Sequence, residues 1–395
     1  EERSDLFYSA LLKDVGCSSN AARVCEIYGA DDILLKHDYE LIDSTSLLAC
    51  AKYVIEHTGP HDPWARRLVR LVRLGLHGRD WQREVENTRC ERGASIVRKL
   101  GFGDDVAAAV YHVGEAWDGK GQPSGLRGDD IPLYARIVAV AQTVDVFSKA
   151  GSSVALSVVK GRSDGALDPE LVATFCRVAD RERSGLWQYL TVEDRASLIG
   201  AHEPKGHEVE ADDERLDALT TAFAEVIDAK SPFTGRHSYN VAVVAEAMAR
   251  GMKLNDDVCR AIRRASLVHD LGKLGVSNLI LDKRGSLTES EWRVMRNHPA
   301  TTLQIISRVP ALRDIGELAS RHHERLDGRG YFRGLRGEQL SLSARLIAVA
   351  DVWEALTANR PYRRALQPDE ALAEMNGMVG WHLGREAYQA LRAIL

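Results

Sequence analysis

The chain has 395 residues, 45% of them apolar and 28% charged, with a formal net charge of −5. This composition fits a globular protein long enough for two domains and a substantial core, and it excludes a disordered chain. The acidic balance argues against a surface that coats DNA, and no apolar run approaches the roughly 20 residues of a membrane span.

No secretory signal opens the chain. It begins at Glu1 rather than methionine and reads as trimmed. Six scattered cysteines without a CxxC pair read as reduced thiols, so a cytoplasmic location is expected. In chain order, the first feature is Lys13-Asp14-Val15-Gly16. Arg89, Val113-Gly114 and the segment Asp118–Ala141 (DGKGQPSGLRGDDIPLYARIVAVA) follow. The charged stretch Glu203–Asp213, with Pro204 and Gly206, reads as a linker. It divides the chain into domains at 1–202 and 203–395. Apolar spacing of helical period predicts helices over Arg215–Ala229, His237–Met252 and Asp256–Leu271, with Gly251 and Gly272 at helix stops. Ser343–Ala358 is predicted as a helix apolar on nearly every face. No alternating strand pattern stands out, so the expected class is all-α, with two helical domains in tandem.

The two halves repeat. Asp118–Ala141 aligns with Asp327–Ala350 (DGRGYFRGLRGEQLSLSARLIAVA) at a constant offset of 209, with 13 of 24 positions identical. Two copies of one unit are therefore present. The same offset pairs Arg89 with His298, Val113-Gly114 with His322-His323, and Gln142 with Asp351. A small indel pairs Lys13-Asp14-Val15-Gly16 with His269-Asp270-Leu271-Gly272. Glycines and apolar positions persist, while the imidazoles of the second copy are replaced in the first. The first copy thus reads as a scaffold without a metal site. It also looks cut short, because the equivalent of His237 would fall ahead of Glu1.

The second copy carries the chemistry. Asp351 sits inside the apolar run LIAVADVWEAL, where an ionised carboxylate needs a cation or a strong donor. His269-Asp270 ends a predicted helix, and adjacent helical side chains diverge by about 100°. One can serve a single ion while the other bridges two. Lys273 follows one turn on. His298 lies beside Pro299, His322-His323 precede an acidic residue and a turn, and His237 begins a helix. Each is weak alone, but together they point to a metal centre. Imidazole with carboxylate ligation suits Fe, Mn, Ni or Zn better than Mg or Ca.

HDLGKLGV, then NHP, then HHERLDGRGYFRGLRG, then ADVWEALTANRPYR resemble the HD-GYP family of bacterial metallophosphodiesterases, within the HD superfamily of metal-dependent phosphohydrolases. The resemblance spans roughly Lys230–Leu395, and the first copy resembles a degenerate member. It implies an all-helical domain with a centre of two or three ions, usually iron or manganese. It also implies hydrolysis of cyclic di-GMP to pGpG or GMP by a metal-bridging hydroxide. Carried over by position, the ligands are His237, His269, Asp270, His298, His322, His323 and Asp351. Asp270 would bridge the ions, and Lys273 would contact the bridging water or the scissile phosphate. Tyr331 would position a guanine or shape the pocket, and Arg360 and Arg363 would hold phosphate oxygens. Two departures stand out. Gly330-Tyr331-Phe332 replaces Gly-Tyr-Pro. Phe233 stands where some relatives place a glutamate for a third ion, so two ions are expected. A homodimer is compatible with these features. A nucleotide sensor without turnover and a di-iron oxygenase are the alternative readings.

Overall fold

A computed structural model describes residues 2–42, 46–181, 185–191, 195–205, 212–233, 235–359 and 363–395. Among them the regular structure is helical, apart from two isolated bridges, Ser163 with Leu167 and Val379 with Leu383. No helix among the described residues is long and apolar enough to cross a membrane. The chain parts into two compact units, Glu1–Glu210 and Ala211–Leu395. This boundary lies inside the expected linker, eight residues beyond the expected break after residue 202.

In the second unit the helices Asp213–Asp228, His237–Gly251, Asp256–Val268, Leu342–Thr357 and Arg385–Ile394 surround one core. Their starts are written locally. Asp212, Asn255 and Ser341 each cap a helix by accepting a backbone N–H three residues on, from Arg215, Val258 and Ala344. Val241, Ala245 and Met248 fall on one face of the His237–Gly251 helix and are completely buried. Leu342–Thr357 is the central helix. Leu346, Ile347, Ala348, Val349 and Ala350 are all buried, as expected for a helix apolar all round.

Two helix ends differ from the sequence reading. The α-helix from Asp256 stops at Val268 rather than Leu271, and a 3-10 turn, Leu271–Gly275, follows. The reason is a backbone crossing. A Cβ on Gly272 would lie 2.0 Å from the His298 carbonyl oxygen and 2.8 Å from the Thr302 nitrogen, so only glycine lets the chain pass there. The other end is at Gly251, which is still helical. The left-handed residue that follows is Lys253, at φ 61°.

The first unit is built around the long helix Trp64–Lys99, with Asp104–His112 packed against it. It repeats the second unit's devices. A Cβ on Gly16 would lie 2.1 Å from the Arg89 oxygen and 2.8 Å from the Gly93 nitrogen. This contact matches that of Gly272 with His298 and Thr302, position for position. Glu115 accepts the backbone N–H groups of Ser124 and Leu126, as Glu324 accepts those of Arg333, Gly334 and Leu335. The repeat seen in the sequence is therefore also a repeat of backbone geometry.

Candidate metal centre

Four helix ends and one helix interior bring the seven side chains together. His237 opens its helix, and Asp228 anchors that start by accepting the backbone N–H and the hydroxyl of Ser238. His269 and Asp270 sit at the junction of the α-helix and the 3-10 turn. His298 begins the helix His298–Ile306, and His322 and His323 follow Arg313–Ala319. Asp351 projects from the central helix. The Thr302 hydroxyl clamps the junction, accepting the Gly272 N–H at 2.9 Å and donating to the His269 carbonyl at 3.0 Å.

The side chains form two groups whose ligand atoms lie within 4.8 Å of one another. One is His237, His269 and Asp351; the other is Asp270, His298, His322 and His323. Asp270 joins them. Its Oδ2 lies 3.5 Å from His237 Nε2 and 3.4 Å from His269 Nε2, while its Oδ1 lies 3.3 Å from His298 Nε2 and 3.7 Å from His322 Nε2. Asp351 Oδ1 is 3.4 Å from His237 Nε2 and 3.9 Å from His269 Nε2. Its Oδ2 is 4.0 Å from His323 Nδ1.

Three observations fit these residues to cations. The Nδ1 atoms of His269, His298 and His322 each bond a backbone carbonyl three residues earlier, those of Ser266, Met295 and Ala319, at 2.7 Å. A carbonyl only accepts, so each Nδ1 carries the proton and each Nε2 presents a bare lone pair. His298 and His322 Nε2 then face each other at 3.2 Å, an arrangement that a shared cation relieves. Finally, His269 Nε2 and Asp270 Oδ1 are buried without a hydrogen bond, which is costly unless an ion takes up the lone pairs.

The electrostatics agree. Burial, with His269 and His298 close by, pushes the His322 imidazole down to about 3. Burial also lowers His298 and, with His322 beside it, holds His323 well below the usual range. These rings are neutral donors at cellular pH. Burial opposes ionisation of Asp270, yet His269 and the Lys273 ammonium beside it keep it well below the usual carboxylate range. Asp351 behaves alike, burial being outweighed by its bond with His237 and by His269. Burial would lower His237, but Asp270, Asp351 and Glu354 lift it well above its ordinary value.

The remaining expected residues divide. Lys273 Nζ lies 2.6 Å from Asp270 Oδ2 and is partly exposed, beside the centre. Tyr331 packs on His323, ring centroids 4.6 Å apart, and forms a wall of the site. Phe332 beside it is 39% exposed at φ 98°, in the left-handed region that a side chain disfavours. Arg360 lies outside the described residues. Arg363 lies at the end of the central helix. Its guanidinium donates to the carbonyls of Ala355, Leu356 and Arg364, and so caps the end of the central helix. Sequence reasoning passed over Glu354, whose carboxylate pairs with His237 Nδ1. A signal existed: Glu354 is three residues after Asp351 on a helix, hence on the same face.

The first unit replaces this centre with fixed charges. Lys13 pairs with Asp14, and Arg89 Nη2 lies 2.9 Å from Glu86. A side chain at Gly114, the counterpart of His323, would press on Arg89 Nη2 at 3.2 Å, so its absence makes room for the guanidinium. Gln142, the counterpart of Asp351, donates to Glu40 at 3.2 Å.

Comparison with known proteins follows the same division. The family model described as HD domain matches residues 79–161 and 221–387, one segment in each copy. The chain is 40% identical over its whole length to 3′3′-cGAMP-specific phosphodiesterase 3 of Vibrio cholerae, covering 85% of that protein. It is 40% identical to a cyclic di-GMP phosphodiesterase of Pseudomonas aeruginosa over 151 residues, 37% of this chain and 36% of that one. The crystal structure of a cyclic GMP-AMP specific phosphodiesterase from V. cholerae superposes with a TM-score of 0.62 at 34% identity, covering 99% of this chain and 86% of that one. The protein belongs to the HD-GYP family of the HD superfamily, and its first half is a degenerate HD copy.

Proposed function

We propose that this protein is a metal-dependent phosphodiesterase that opens a cyclic dinucleotide, with 3′3′-cGAMP preferred over cyclic di-GMP. The observation that carries the reading is Asp270, whose two carboxylate oxygens each face a separate cluster of imidazoles. A carboxylate so placed, with six further ligands around it, suits two ions rather than one. His237, His269 and Asp351 would hold the first, and His298, His322 and His323 the second, with Asp270 between. When bound, divalent transition ions supply Lewis acidity toward phosphoryl oxygens and make water acidic enough to act as a nucleophile near neutral pH.

The chain's own groups do the rest. The Lys273 ammonium keeps Asp270 anionic and puts positive charge beside the centre, where an anionic phosphodiester gains from it. The backbone carbonyls behind His269, His298 and His322 lock the rings in one tautomer, so no reorganisation is needed as charge develops. Tyr331 packs on His323 and fixes the position of that ring. Hydrolysis adds the water oxygen to phosphorus, breaks one bond to a 3′ oxygen and returns a proton to that oxygen.

The choice of substrate shifts from the sequence expectation. Cyclic di-GMP was expected from the motifs of the second copy. A V. cholerae relative that aligns through both copies is specific for 3′3′-cGAMP, whereas a cyclic di-GMP phosphodiesterase of P. aeruginosa aligns over little more than a third of the chain. The test incubates manganese- or iron-loaded protein with 3′3′-cGAMP and with cyclic di-GMP and separates the linear products by chromatography. Faster opening of 3′3′-cGAMP is expected. A preference for cyclic di-GMP would restore the earlier substrate. Intact metal loading with neither compound opened would favour the sensing alternative.

A further inference from the structure

We infer that Glu354 is a positioning residue that fixes His237 and makes the ion position formed by His237, His269 and Asp351 bind more tightly than the one formed by His298, His322 and His323. This rests on the reading of the cluster as a two-ion centre, but not on the identity of the substrate.

The two positions are built differently. In the second, His298 and His322 are backed by neutral backbone carbonyls, and Asp270 Oδ1 is the nearest carboxylate oxygen to both. In the first, Asp351 approaches both imidazoles, and His237 is backed by a carboxylate instead of a carbonyl. A carboxylate behind a histidine makes the opposite ring nitrogen a stronger donor and fixes the ring's orientation. It also adds negative charge close to the ion in a site that excludes water, where charge counts for more than in bulk solvent.

Glu354 is held for this role. It is buried, at 7% exposure, and sits one turn after Asp351 on the rigid central helix. One carboxylate oxygen bonds His237 Nδ1, and the other accepts from Asn240 Nδ2 at 3.4 Å. Asn240 is three residues after His237, so Glu354 grips the first turn of that helix at two points. Access differs at one ligand. The side chain of His323 is 27% exposed, whereas those of His237, His269, His298 and His322 are at most 3% exposed. The second position thus has fewer carboxylates around it and one ligand open to solvent.

The experiment equilibrates manganese-loaded full-length protein against graded concentrations of a chelator and measures bound metal by elemental analysis. Wild type should release its two equivalents in separate steps. Glu354→Gln should weaken the tight step by about 10- to 100-fold, bringing the two steps together, while the melting temperature of the metal-stripped protein falls by less than that of the loaded protein. Asn240→Ala, at an exposed residue, should move the tight step the same way by a smaller factor. The inference is overturned if wild type releases both ions in one step or if Glu354→Gln keeps two separate steps. It is also overturned if the stripped variant melts as far below wild type as the loaded one does, which marks a purely structural role. Three equivalents in wild type against two in the variant would make Glu354 a ligand and overturn it too. No metal bound to wild type would instead sink the two-ion reading beneath it.

Discussion

Replacing Gly272 with alanine tests the backbone crossing on which the centre depends. The added Cβ would sit 2.0 Å from the His298 carbonyl oxygen, where a real Cβ stays beyond 3.0 Å, so the two segments must separate by about 1 Å. Both obstacles at the crossing, the His298 carbonyl and the Thr302 nitrogen, are backbone atoms, and no flexible side chain can yield. Separation also pulls the Thr302 hydroxyl from Gly272 N–H and the His269 carbonyl. Two hydrogen bonds at about 1 kcal/mol each, with overpacking of about 1–3 kcal/mol, give a loss of about 3–5 kcal/mol. For a unit of this size that is a fall in melting temperature of roughly 10 °C. Because His298 lies on one side of the crossing and His269-Asp270 on the other, metal retention should fall with it. Two controls are built into the chain. A Cβ on Gly275 meets nothing within 4 Å, so Gly275→Ala should be neutral or stabilising by up to about 1 kcal/mol. Gly16→Ala should destabilise the first unit through the Arg89 oxygen while leaving metal binding intact. Urea unfolding with parallel metal analysis decides the matter. A Gly272→Ala protein within about 1 kcal/mol of wild type, with both ions retained, would refute the crossing as described.

His269→Ala should abolish retention of metal and turnover together, read by elemental analysis and product formation, because it removes a fully buried ligand. Lys13→Ala, at the corresponding position of the first copy, should leave both unchanged; loss of turnover there would reverse the roles given to the two copies. Stripping metal with a chelator should lower the melting temperature of the second unit, since opposed nitrogen lone pairs and an unbonded carboxylate oxygen remain buried, and re-adding metal should restore it. Leu346→Ala, at a completely buried position of the central helix, should cost about 2–5 kcal/mol in urea unfolding.

Much of this was legible in the sequence because glycine and histidine leave strong local marks. The offset of 209 located the first copy, and Gly16 and Gly272 proved to perform one task against matching carbonyls. The seven side chains expected to gather do gather, six of them at helix ends and Asp351 inside the central helix. Less visible were groups whose role comes from what lies across the core. Nothing near Thr302 in sequence marks it as the clamp between His269 and Gly272. Glu354 was hidden by its neighbour Asp351, which alone seemed enough to explain a carboxylate in an apolar helix. Arg363 shows the same limit: its motif suggested a phosphate, and only the fold reveals that its guanidinium donates to carbonyls at the end of the central helix.

The ammonium of Lys13 and the guanidinium of Arg89 carry one further implication. In the first unit the positive charge that faces Asp14 and Glu86 is covalently part of the chain and cannot be withdrawn by scarcity or by a competing chelator. In the second it must be borrowed from the surroundings. One polypeptide thus joins a half whose shape is unconditional to a half whose competence tracks the supply of ions.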